Sequence, residues 1–156
     1  MSKLMQTKNN NMFFLVFYFS LCSWSTHVQA GCQISAQNLD FGNYDPSLAF
    51  ATHSSAELYL LCTENRNVTI EIGPSSVTGS INERKMRHVV YPQETLAYTI
   101  SSDFLGLRVW GDTTQGMSVN QPVSYYTTIR LYGKILAAQQ PWVGSYSDKI
   151  TVTIQP

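Results

Sequence analysis

Short runs in which apolar and polar residues alternate with period two dominate the chain from residue 57 onward, and no segment repeats its apolar positions at the 3.6-residue spacing of a helix. Period two sends successive side chains to opposite faces, so such runs fold as strands that bury one face. Residues 57–62 and 67–72 are two of them, separated by a polar turn at 63–66 and ended by Gly73-Pro74. Residues 96–100 and 107–110 follow, the second stopped by Gly111-Asp112. Residues 125–132 are rich in β-branched and aromatic side chains, and 149–155 alternate without a fault. Turn signals recur about every ten residues, the spacing of an antiparallel sandwich or barrel. The stretches 73–82, 112–122 and 137–147 are expected to be loops, and no internal repeat or low-complexity tract divides the chain.

The N-terminus has the form of an export signal. Lys3 and Lys8 precede an apolar run over residues 12–22, and Val28-Gln29-Ala30 supplies a small-residue cleavage pattern, with alternative cuts after Cys22 or Ser25. The run is shorter than the ~20 residues a spanning helix requires. No later run approaches that length, so no membrane span is expected after signal cleavage. Removing residues 1–30 from 156 leaves 31–156, 126 residues and one ordinary domain. Cys22 leaves with the signal. Cys32 and Cys62 are then an even pair in an oxidising compartment, which predicts a disulfide tying the first strand to the second. A bridge closing a loop of about 30 residues stabilises by ~3–4 kcal/mol in the chain-entropy account. The alternatives are two buried thiols or half of a metal site; zinc wants four ligands, and His53 and His88 stand alone.

Charge and motif content argue against other functions. Losing Lys3 and Lys8 leaves eight basic and ten acidic residues, a formal charge of −2, with no basic stripe to neutralise phosphates, so no nucleic-acid partner is expected. The chain has no Gly-x-Ser-x-Gly elbow and no Gly-rich phosphate loop, and its carboxylates are scattered. No catalytic residue, cofactor or metal is therefore expected, and the protein is read as a non-enzyme. Asp148, before the last strand, is expected to cap a turn. Arg84, Lys85 and Arg87 are expected on a solvated strand edge, with a ligand site as the alternative. Asn67-Val68-Thr69 matches a glycosylation acceptor but falls inside an expected strand. Tyr59, Tyr98 and Tyr132 sit in alternating runs and are expected to pack half-buried. Trp142, on a loop bounded by Pro141 and Gly144, is a candidate surface contact, with simple loop packing as the alternative.

An ordered series of motifs carries a family resemblance. Leu39-Asp40-Phe41-Gly42-Asn43-Tyr44-Asp45-Pro46 follows the first cysteine, and Leu58-x-Leu60-x-Cys62-Thr63 leads to Val68-Thr69-Ile70-x-Ile72-Gly73. Arg84-x-Met86, Leu96-x-Tyr98-x-Ile100, Trp110-Gly111-Asp112, Tyr132-Gly133-Lys134-Ile135 and Gly144-x-Tyr146-Ser147-Asp148-x-Ile150-x-Val152-x-Ile154 complete it. Together they resemble the spore coat protein U domain, shared by secreted pilins of archaic, Csu-type chaperone–usher pili. The resemblance implies an all-β, incomplete immunoglobulin-like antiparallel sandwich that lacks one strand. It implies as partners a periplasmic pilus chaperone, an outer-membrane usher and other pilin subunits, one of which donates the missing strand. It also implies passage through the periplasm to a surface fibre that supports adhesion or biofilm. The last strand is then the natural groove wall, with Ile150, Val152 and Ile154 facing in and Thr151, Thr153 and Gln155 facing out. Cleavage after Ala30 leaves only Gly31 before Cys32, too short for a donor, which suits a terminal subunit. Cleavage after Cys22 leaves Trp24, Thr26, Val28 and Ala30 as a short alternating donor, which suits a shaft subunit. The rival reading is a self-contained secreted carbohydrate-binding or spore-coat protein.

Overall fold

In β2 (Thr52–Cys62), alternation buries Ala56, Leu58, Leu60 and Cys62 on one face, and the other face stays half-buried or exposed. The computed structural model containing this strand describes residues 31–155, none of them helical. The other strands are β1 (Cys32–Ala36), β3 (Arg66–Ile72), β4 (Lys85–His88), β5 (Thr95–Ser101), β6 (Val119–Val123), β7 (Tyr126–Ile135), β8 (Tyr146–Ser147) and β9 (Val152–Gln155). A six-stranded sheet runs β1-β2-β7-β5-β4-β8, and a three-stranded sheet runs β6-β3-β9. Every strand pairing is antiparallel. The sheets enclose one core, built from the inward positions of β2, β3, β5 and β7 together with Trp110.

The long β2–β7 ladder fixes the register of that core. It sets Leu58 opposite Ile129 and Ala56 opposite Leu131, and a one-residue slip would expose the whole inward row. At the other edge of β2, Cys32 lies directly opposite Cys62, and the expected disulfide joins them. Residues 1–30, which carry the expected signal, its cleavage sites and any donor segment, lie outside the described residues.

Four local expectations change. Residues 107–110 do not form a strand. Asp103 accepts the backbone N–H of Leu107 at 3.1 Å and of Arg108 at 2.7 Å, which curls the chain around Gly106 at φ +76°. Only isolated bridges at Val109 and Trp110 remain, and Trp110 is an anchor instead, fully buried with Nε1 donating to the Ile70 carbonyl at 3.0 Å. The expected loop 112–122 contains most of β6, whose Pro122 is tolerated because this strand lies at a sheet edge. The expected loop 137–147 ends in β8, which pairs with β4. Arg84 is buried rather than solvated: it is 1% exposed, and its guanidinium donates to the carbonyls of Ile81, Ile72 and Gly73 at 2.7–3.0 Å. It is a cationic staple between the 73–84 connection and the end of β3, while Arg87 stays exposed as expected.

Candidate functional site

Strands β8 and β9 are consecutive in the chain yet belong to different sheets. Strand β8 pairs only with β4, and β9 pairs only with β3, so each has one open edge among the described residues. The segment between them is held by side chains and by a backbone bond from the Gly73 N–H to the Thr151 carbonyl at 2.8 Å, and β9 begins at Val152 and not at 149. Asp148 accepts the N–H and hydroxyl of Ser76 at 3.0 and 2.7 Å and the N–H of Lys149 at 2.7 Å. Its second oxygen accepts the Tyr98 hydroxyl at 2.7 Å. Asp148 therefore caps a turn and also ties that turn to β5. Burial would raise its carboxyl, but the hydrogen bonds from Ser76, Tyr98 and Lys149 outweigh burial and hold it below the ordinary carboxylate range. Burial, reinforced by the Asp148 charge, pushes the Tyr98 phenol up.

Opposite this edge, the chain leaving β1 forms a second wall. Leu39 and Phe41 turn inward while Asp40 stays exposed, and they settle over Gly133 of β7. A Cβ at Gly133 would stand 2.6 Å from Leu39 Cδ2 and 2.7 Å from Phe41 Cζ, so glycine is what lets these side chains approach the sheet. Between the two walls lies a cleft of about 350 Å³ whose floor includes Leu58, Ile72, Ile100 and Leu131. A groove thus opens to solvent between the free edge of β9 and the end of β1, walled by the half-buried Leu39, Phe41, Ile150 and Val152 over a floor that is itself buried.

Ile150 and Val152 line that cleft. Ile154 lies further along β9, opposite Ile70, and packs half-buried against the core without lining the cleft. Thr151, Thr153 and Gln155 point to solvent. The wall formed by Leu39 and Phe41 is absent from the sequence-based site. Its available signals were the apolar alternation at Leu39 and Phe41 and the lone glycine within the strand pattern of β7.

A second cavity, of about 490 Å³, lies between the loops carrying Asn43 and Trp142, above Met86, Leu96 and Ile135. Trp142 stands at it half-exposed and meets Tyr91 edge-on at 5.2 Å. His88, buried beneath, accepts the N–H groups of Val90 and Tyr91 on Nδ1, both at 3.0 Å. His53 stacks on Phe104 at 5.2 Å, far in function from any ligand set: no group of three or more His, Cys, Asp or Glu side chains converges among the described residues. Tyr59 and Tyr132 are half-buried and Tyr98 is buried. No helix of the described residues is long and apolar enough to cross a membrane.

The Spore Coat Protein U domain matches residues 19–153, and the chain belongs to that family. Among solved structures, it is similar to a chain of the CsuC–CsuE chaperone–tip adhesion subunit pre-assembly complex from archaic chaperone–usher Csu pili of Acinetobacter baumannii. The TM-score is 0.57 at 22% identity, covering 81% of this chain and 39% of that one. It is also similar to a chain of a chaperone–tip adhesin complex described in the biogenesis of CFA/I fimbriae, with a TM-score of 0.52 at 19% identity over 80% and 42% of the two chains. This chain therefore spans about two fifths of the length of those two. No curated protein is matched significantly.

Proposed function

We propose that this protein is a structural subunit of a chaperone–usher surface fibre, whose open core is completed by an extended segment of another chain. The observation that carries this reading is the cleft between β9 and the end of β1, where half-buried apolar side chains of the walls and an unpaired strand edge meet solvent together. An incoming strand would hydrogen-bond to the β9 edge and lower alternate apolar side chains onto Leu58, Ile100 and Leu131, while Ile150 and Val152 form the side of the groove. Ile154 extends the same face beyond the cleft. A periplasmic chaperone fills the groove first, an outer-membrane usher is where a fellow subunit replaces it, and residues 1–30 serve for export. The role is structural rather than catalytic, and the finished fibre supports adhesion and biofilm.

Expression in the periplasm tests this. Produced alone, the protein is expected to aggregate or be degraded, because an open core exposes apolar surface and an unpaired edge. With a chaperone from the same fibre system it is expected to accumulate as a soluble one-to-one complex. Abundant soluble monomer without any chaperone would support a self-contained domain instead.

A further inference from the structure

The six-stranded sheet has a second face, turned away from the core and from the cleft, and the charges of the chain are sorted onto it. Alternation puts His53, Glu57, Lys85, Arg87, Arg130 and Lys134 at its outward positions, because the intervening positions turn toward the core. Glu57 is the one carboxylate on this face among the described strands, and Arg130 neutralises it at 3.0 Å. The face thus carries four cations against one carboxylate, whereas the rest of residues 31–156 holds four cations and nine carboxylates. Lys85, Arg87 and Lys134 make no ion pair among the described residues. No run of the sequence is strongly basic; the pairing of β4, β5 and β7 gathers these charges. Lys134 lies opposite Thr99, Lys85 opposite Ala97 and Arg87 opposite Thr95. Small outward side chains on β5 therefore form the floor of a shallow trough between two rows of cations. At the usual strand spacing and rise, the rows stand about 10 Å apart and the floor is about 13 Å long. The loop after β5 borders the Lys134 row: Phe104 stacks on His53 at 5.2 Å, meets Tyr132 edge-on at 6.0 Å and is still 60% exposed.

We propose that this trough binds an acidic polysaccharide, a polymer of uronate sugars, through Lys85, Arg87 and Lys134. Three cations without carboxylate partners call for an anionic occupant. They are spread along a strand rather than converging on one point, which suits a polymer with recurring charge and not a single small anion. The Arg87 guanidinium can grip a carboxylate with two parallel hydrogen bonds. Thr99 donates its hydroxyl to the Lys134 carbonyl at 3.5 Å and keeps its oxygen free to accept from a sugar hydroxyl. Phe104 offers an exposed ring to the C–H face of a sugar. A single-stranded nucleic acid would instead need aromatic side chains along the trough on which to stack its bases, and the floor is Thr95, Ala97 and Thr99. The face is separate from the strand-accepting cleft, so the two readings stand or fall independently.

Calorimetric titration of the exported protein, purified alone or with its chaperone, tests this. The probes are polygalacturonate, the same polymer with its carboxylates methyl-esterified, and duplex DNA of equal total charge. Polygalacturonate is expected to bind, more weakly as salt is raised, and the neutral ester is expected not to bind. Lys85→Gln combined with Arg87→Gln should weaken binding about tenfold, and Lys134→Gln about threefold. Lys149→Gln removes the same charge from an exposed position off this face, and should change the affinity less than about twofold. Melting curves of the variants, all at exposed or half-buried polar positions, check folding. No binding of polygalacturonate, equal binding of its ester, or an equal loss with Lys149→Gln would overturn the proposal. Tighter binding of DNA that responds to the same three face substitutions would assign the trough to nucleic acid and overturn the polysaccharide.

Discussion

A peptide of about ten alternating residues, added at a hundredfold excess over its Kd, is expected to raise the melting temperature of the isolated domain by about 10 °C. Binding only to the folded state at that excess contributes ~2.7 kcal/mol, and a domain of this size gains several degrees per kcal/mol. The chemistry is that of an unfinished core. Leu39, Phe41, Ile150 and Val152 are only half-buried where they wall the cleft, so the peptide's apolar side chains bury wall surface that the folded chain leaves wet. Val152→Asp is the matching control. At the open wall of the cleft the new carboxylate stays hydrated, and the variant folds. Once a strand arrives, the same carboxylate would be sealed against apolar side chains without a partner, so the peptide should no longer stabilise the domain. Calorimetry of both proteins with and without peptide reads this out. An unshifted wild-type melting curve, or an undiminished shift in the variant, would contradict it.

Arg84→Ala is expected to cost about 3–5 kcal/mol, lowering the melting temperature by more than 10 °C. The guanidinium serves three backbone carbonyls in a buried position, and alanine leaves all three without their donor. Arg84→Lys should recover only part of the loss, because a single ammonium on a flexible stem cannot reproduce the planar fork. Chemical denaturation of the two variants gives the comparison, and a cost below about 1 kcal/mol for alanine would place Arg84 at a solvated edge after all. Burial lowers the pKa of this group, while the field of Tyr98, Asp148 and Asp112 works the other way. The staple thus shares its surroundings with the Asp148 turn that leads into β9.

Arg84 also shows where sequence patterns stop being informative. Alternation is a local property. Strands β2, β3 and β5 contain the runs 57–62, 67–72 and 96–100 marked by period two, and β7 takes up all but the first residue of the β-branched and aromatic run 125–132. Only 152–155 of the alternating run 149–155 becomes strand, and the cysteine pair forms the bridge expected of it. Residues 107–110 carry the same local signal, yet Asp103 turns the chain away and Trp110 serves the core alone. Conversely, β6 and β8 are short edge strands that contain Pro122 or follow Gly144, so their composition resembles that of loops. Whether a charged residue such as Arg84 is wetted depends on carbonyls brought near it by the fold, which no spacing rule encodes.

The candidate site divides in the same way. The inward face of Ile150 and Val152 follows from alternation along one strand. The wall opposite needs Leu39 and Phe41 to lie across Gly133, some ninety residues downstream, and only the tertiary structure brings these together. Trp142 was legible as an exposed aromatic on a loop, but the cavity beside it is formed jointly with the loop around Asn43.

Amide hydrogen exchange along β9 is the most direct measurement of the central claim, that this sandwich is completed from outside. In the isolated, disulfide-bonded domain, the amides of residues 152–155 that point away from β3 should exchange quickly, while those bonded to β3 are protected. Adding a strand-donating peptide or the N-terminal segment of a fellow subunit should protect the outward amides as well. Protection of every β9 amide in the isolated domain, before any strand is supplied, would contradict the account.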